Sequence, residues 1–206
     1  MKKIMFNDKY GLTEAVLSGR KTMTRRIATA LNHPLVSDIS EWGNDDKGKA
    51  EIAVTYLSGL VHYVYPQYQP GEVVAVAQCY EDVNNHLGAM ARCIINPFGS
   101  PREHPGWTNK MFVRAELMPH LIRITNIKAE RLQDISDEDC KKEGIMEGEF
   151  MNTWDTFYFD EWGDVPNHIT FPTVREAFAA LIDRISGEGT WKRNPWVFAY
   201  EFEKID

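Results

Sequence analysis

The sequence predicts an α+β domain built on a small sheet or barrel, on three observations. Several apolar stretches have strand length, the helical patterns are short and scattered, and the two do not alternate in a βαβ rhythm. The 206 residues, 43% of them hydrophobic, suit one domain with a real core, so residues 1–206 are read as a single domain carrying insertions at 28–66, 84–105 and 146–170.

MKKIMF at the start of the chain is a short strand. Lys9 to Leu17 predicts a brief helix with Leu12, Ala15 and Val16 on one side and Gly19 at its C′ position. Residues 28–66 lack periodicity and contain the polar stretch EWGNDDKGK, Glu41–Lys49. They are expected to form loops with one hairpin, Glu51–Leu57 pairing with Gly59–Tyr65. Pro70-Gly71 suits the two central positions of a type II turn, and the apolar run Val73–Cys79 suits a buried strand. Residues 84–108, rich in Pro and Gly, are another expected loop.

LIRITNIKAERL, Leu121–Leu132, alternates through Ile122 and Ile124 and then slips phase to Ile127 and Ala129, which predicts a strand with a bulge near Thr125-Asn126. In DISDEDCKKEGI, Ser136 is an N-cap, acidic residues fill the first turn and Gly144 is the stop, so a short helix follows. Residues 146–170, with WDTFYFDEW, are expected to be an insertion packed on the surface. In TVREAFAALIDRISG, Thr173 and Glu176 form a capping box, Val174, Ala177, Phe178, Leu181 and Ile185 form an apolar stripe, and Gly187 terminates the helix. NPWVFAYEFEK is a closing strand whose face of Trp196, Phe198, Tyr200 and Phe202 belongs in a core.

Bulk properties narrow the function. No apolar run approaches membrane-span length, and the N-terminus has no signal-peptide core, which predicts a cytoplasmic protein. Cys79, Cys93 and Cys140 are odd in number and widely spaced, so a disulfide framework is not expected and the three read as small apolar residues. The six histidines fall singly with no metal-ligand spacing, and no phosphate-binding, dinucleotide-binding or GxSxG motif occurs. Neither a metal nor a cofactor is expected. Trp107, Trp191 and Trp196 are read as core packing, with base stacking as the alternative.

Charge is uneven. The first 26 residues hold Lys2, Lys3, Lys9, Arg20, Lys21, Arg25 and Arg26 against Asp8 and Glu14, a net of +5 in a chain of net charge −7. Within SGRKTMTRR, the guanidinium forks of Arg20, Arg25 and Arg26 and the compact charge of Lys21 suit an anion, and Thr22 and Thr24 bring hydroxyls. A solvated loop that binds nothing has the same composition. A third reading is chemical: a lysine crowded by arginines loses its proton more easily, and a neutral amine beside a threonine and a carboxylate gives base, nucleophile and orienter.

SGRKTMTRR after the first helix, then YQPGEVVAV, LIRITNIKAERLQDISDEDCKKEGI and NPWVFAYEFE, in that order, resemble the ASCH domain, in particular its longer phage and prophage form. The likeness covers about residues 1–26, 66–83, 106–145 and 191–203. It implies a PUA-like small β-barrel with short flanking helices and loop insertions, a fold associated with RNA and modified nucleosides. The cleft beside Arg20–Arg26 is then expected to take RNA or a nucleotide-like ligand, with Arg20, Lys21, Thr22, Arg25 and Arg26 as the binding residues. Some small bacterial members of the family are amidohydrolases that act on N(4)-acetylcytidine through a lysine, a threonine and a glutamate. Gly19-Arg20-Lys21-Thr22-Met23-Thr24 matches their G-R-K-T-x-T pattern, which implies Lys21 as base, Thr24 as nucleophile or water-orienting group and Glu143 as the carboxylate holding the lysine. Binding is the first expectation, amide hydrolysis of an acylated nucleoside the second, and RNA cleavage the third. Where related phage-type sequences often have Trp-Val-Arg-Glu, this chain has Ala75-Val76-Ala77-Gln78.

Overall fold

A computed structural model describes residues 1–83, 105–150, 153–161 and 167–205. In chain order its elements are β1 (Lys2–Ile4), α1 (Leu12–Leu17), β2 (Met23–Ile27), β3 (Val36–Asn44), β4 (Ala50–Tyr56), β5 (Val61–Val64), β6 (Val73–Val76) and β7 (Leu121–Arg131). There follow α2 (Asp137–Lys142), β8 (Met146–Phe150), β9 (Thr153–Glu161), β10 (Asn167–Phe171), α3 (Val174–Ser186), α4 (Thr190–Arg193) and β11 (Trp196–Lys204). The fold is mixed α+β. Among the described residues no helix is long and apolar enough to cross a membrane.

The central sheet has the order β1-β6-β7-β11-β2, with β1 parallel to β6 and the other pairs antiparallel. It is not closed into a barrel among the described residues: β1 and β2, only three and five residues long, form its two edges. The phase slip in β7 is a bulge. Glu201 of β11 pairs with Asn126 and Phe202 with Ile124, which leaves Thr125 as the extra residue.

β11 differs from its expected one-faced pattern, because Val197, Phe198, Ala199 and Tyr200 are all buried. It lies between β7 and β2 and is covered on both faces, as an internal strand of a layered domain is. The aromatic face does enter the core: Trp42 meets Phe198 at 5.9 Å, Tyr68 meets Tyr200 at 5.3 Å and Phe6 meets Phe202 at 5.8 Å between ring centroids. Trp196 is half-buried beneath the Arg131 guanidinium, 4.8 Å from its ring. Trp107 and Trp191 are half-buried and pack against core residues, and Cys79 and Cys140 are buried thiols. Cys93 and residues 84–104 of the expected loop lie outside the described residues; its end, 105–108, is turn.

Both short helices follow their local signals. Ser136 accepts a hydrogen bond from the Asp139 amide at the start of α2, and Thr173 accepts one from Glu176 at the start of α3. Gly71 takes the positive φ of 80° that the second central position of a type II turn needs. The expected Lys9–Leu17 helix is interrupted: Asp8–Tyr10 is a 3₁₀ turn, and Gly11 at φ 61° separates it from α1. Val73–Cys79 pairs as a strand only to Val76.

The insertions are more ordered than the sequence suggests. The hairpin in 28–66 is present as β4 and β5, but β3 adds a third strand running through Glu41–Asn44, which polarity alone had marked as loop. Trp42 anchors it by packing on Phe198. Residues 146–171 contribute the antiparallel order β10-β9-β8 rather than a surface appendage. Phe159 of β9 is 1% exposed and packs on Tyr10 and Phe171, at centroid distances of 6.0 and 5.8 Å. Phe159→Ala should therefore lower unfolding free energy by about 3–5 kcal/mol in urea denaturation. A loss below about 1 kcal/mol would mean that this sheet does not complete the core.

Candidate functional site

The basic segment is shaped by its backbone before its charges matter. Gly19 turns with φ 78°, the Lys21 amide donates to the Ala15 carbonyl at 2.8 Å, and the Thr22 amide donates to the Lys142 carbonyl at 3.0 Å. These bonds tie the segment to the ends of α1 and α2 and carry Lys21 inward. From Met23 the chain is strand, paired with β11 so that Thr24 faces Tyr200 and Arg25 faces Ala199.

Lys21 is 2% exposed. Its Nζ donates to Glu143 Oε2 at 2.5 Å and to the Glu143 backbone carbonyl at 2.7 Å. Glu143 caps the C-terminus of α2, where a lysine finds both an unpaired carbonyl and the negative end of the helix. Burial lowers the Lys21 pKa below its ordinary 10.5, and nearby Arg26 and Arg25 act in the same direction against the opposing charge of Glu143. A neutral amine has two N–H donors and one lone pair. Glu143 can accept both donors and leave that lone pair unused.

Arg25 is placed where the sequence did not suggest. Its side chain has 0% exposure. Nε donates to Glu130 Oε1 at 2.8 Å, Nη2 to Asp139 Oδ2 at 2.9 Å, and Nη1 to Glu143 Oε1 at 3.2 Å and to Met23 Sδ at 3.0 Å. Lys128, half-exposed, closes the cluster with bonds to Asp139 at 2.9 Å and Glu130 at 3.1 Å. Arg25, expected as a contact for an anionic ligand, borders the same cavity as Lys21 and Thr24, but its guanidinium donors are already engaged by three carboxylates.

The other expected binding residues divide. Arg26 is half-buried, donates to the Met5 carbonyl and lies 5.7 Å from the Phe6 ring centroid. Arg20 is exposed and lines a separate hollow of about 380 Å³ with Lys141, Glu147 and Tyr158. Thr22 is half-buried, and its carbonyl accepts from the Phe202 amide.

Lys21, Thr24, Arg26 and Glu143 meet in one cavity of about 770 Å³, within the range of small-molecule sites. One wall is polar, with Asn7, Asn109 and Lys110 added to those four; the other is apolar, built from Phe6 and from Phe178, Leu181, Ile182 and Ile185 of α3. The Thr24 hydroxyl has no hydrogen-bond partner among the described residues. Ala75, Val76 and Ala77 are fully buried and, like Gln78, lie outside this lining. Among the described residues no group of His, Cys, Asp or Glu is arranged to hold a metal ion.

Asp139, Glu130, Phe6 and the α3 wall were not anticipated as parts of a site. Asp139 had been legible only as one of three acids in the first turn of a helix, and the α3 stripe only as core. Comparison with known protein families, with curated proteins and with solved structures gives no match.

The Asp139 carboxyl is held below its ordinary 3.8; burial opposes this, but hydrogen bonds and charge from Lys128 and Arg25 outweigh it. A depressed carboxylate contributes stability that is present above 3.8 and is lost as pH falls through the lower folded value. Asp139→Asn should accordingly lower stability at pH 7 by about 3 kcal/mol or more, since it leaves Arg25 short of a partner. It should also flatten the acid limb of a stability–pH curve measured by urea unfolding. An unchanged acid limb would refute the assignment.

Proposed function

We propose that this chain is an ASCH-type, PUA-like protein whose cavity binds a nucleoside and hydrolyses an amide on its base, with N(4)-acetylcytidine as the substrate class. The observation that carries this reading is the buried Lys21–Glu143 pair, set in the same cavity as the unpartnered Thr24 hydroxyl. A cation meant for phosphate would be turned to solvent; Lys21 is instead buried, bonded twice to one glutamate and lowered in pKa. RNA or nucleotide binding enters as the recognition step, with Arg26 as the cationic contact in the cavity. The apolar wall of Phe6, Phe178 and Leu181 offers the base and acyl group a surface that excludes water.

In the proposed reaction neutral Lys21 takes the proton of the Thr24 hydroxyl as its oxygen attacks the acetyl carbonyl. The tetrahedral adduct collapses by breaking the carbon–nitrogen bond, and Lys21 returns its proton to the departing 4-amino group. Water then attacks the threonyl ester as Lys21 accepts its proton, the carbon–oxygen bond to Thr24 breaks, and Lys21 passes that proton to the Thr24 oxygen, which restores both groups and releases acetic acid. Glu143 holds the amine and stabilises it while it carries the extra proton.

Turnover of N(4)-acetylcytidine to cytidine is the test. The parent should release cytidine, and Lys21→Ala, Thr24→Ala and Glu143→Gln should each lower kcat by about 10²-fold or more. The rate should rise with pH as Lys21 loses its proton, with a midpoint below 10.5. No release by the folded parent, or a Lys21→Ala variant as fast as the parent, would overturn the reading.

A further inference from the structure

The buried cluster next to Lys21 has a feature that ligand binding does not explain. Glu143 is shared between two cations: Oε2 bonds Lys21 at 2.5 Å, and Oε1 bonds Arg25 at 3.2 Å. Arg25 is in turn held by Glu130 and Asp139, and both of these also meet Lys128. Lys21, Arg25 and Lys128 thus face Glu130, Asp139 and Glu143, three charges of each sign, and Lys142 at the rim, 3.9 Å from Asp139, is balanced by Glu138 and Glu201 at 3.2 and 3.8 Å.

Once Lys21 is a neutral amine, Arg25 is the cation left bonded to Glu143. Without Arg25 the glutamate would have Lys21 as its cation, and their attraction at 2.5 Å in a buried site would hold the lysine proton in place. The other charged groups near Lys21 are Arg26 on β2 and, around the cavity, Asp8, Lys9 and Lys110. Asp8 pairs with Lys110 at 2.7 Å and Lys9 with Glu161 at 2.8 Å, so these three are already balanced locally.

We propose that Arg25 is a positioning residue: through the second oxygen of Glu143 it fixes that carboxylate and stays bonded to it when Lys21 is neutral, leaving the amine available to accept a proton in the cavity. The catalytic meaning of this role rests on the hydrolase reading above. Its effect on Lys21 does not, because the lysine titrates whether or not a substrate is known.

The test pairs a substrate-free titration of Lys21, followed by NMR of lysine-labelled protein, with pH–rate profiles on N(4)-acetylcytidine. Arg25→Met/Glu130→Gln removes one cation and one anion and keeps the cluster balanced; Arg25→Met/Asp139→Asn does the same should the first pair fail to fold. In either, the Lys21 titration and the ascending limb of kcat should both move up by about one pH unit. Arg25→Lys keeps the charge but loses the fork, so Lys21 should titrate close to the parent while kcat falls about tenfold or more with little change in KM. A parent-like Lys21 titration in a folded balanced variant, or full kcat in Arg25→Lys, overturns the proposal. A shifted titration in a protein that turns over nothing refutes the hydrolase reading and leaves the role of Arg25 standing.

Discussion

Burying Lys21 and Arg25 on the same short stretch of chain imposes a constraint that the surrounding architecture has to meet. Two cations taken out of water lose several kcal/mol of solvation each, and a fold tolerates that only with carboxylates in contact. Here they come from two other elements. β7 brings Glu130, and α2 brings Asp139 and, at its C-terminal cap, Glu143. The pairing of β11 with both β2 and β7 sets the cations and Glu130 on neighbouring parts of one sheet, and the Thr22–Lys142 backbone bond locks the end of α2 against them.

The cavity grows out of this arrangement. Lys21 and Glu143 supply a polar wall fixed by buried bonds, and Thr24 joins it from a strand held by β11. α3 faces it with Phe178, Leu181 and Ile182, the same side chains that pack the core. One amphipathic helix thus serves stability and the site together. The sheet formed by β8, β9 and β10 contributes Phe159 to that core, which links a segment far along the chain to the support of α3.

What could be read from the sequence follows the range of the forces involved. Ser136 and Thr173 announce helix starts because a cap bonds an amide three residues away, and the phase slip at Thr125 reports a bulge because strand alternation is local. Lys21, Thr24 and Glu143 were placed by resemblance and do line one cavity. The role of Arg25 was not legible. Its carboxylate partners lie 105, 114 and 118 residues away, and nothing in RKTMTRR distinguishes an arginine that will be enclosed from one that will face solvent. β3 was hidden for a related reason, since its polar residues describe the solvent side and its core side rests on three widely spaced residues, Val36, Ile39 and Trp42, the last packed on Phe198.

The central claim is that the Lys21–Glu143 pair exists for chemistry and not to hold the fold together. Its most direct test is the unfolding free energy of Lys21→Met/Glu143→Gln, which removes both charges, fills similar volume and keeps an acceptor for Arg25. A pair kept for function carries a desolvation cost, so the double variant should be as stable as the parent or more stable by about 1–4 kcal/mol. A loss of about 3 kcal/mol or more would contradict the account and make the pair a structural element of the fold.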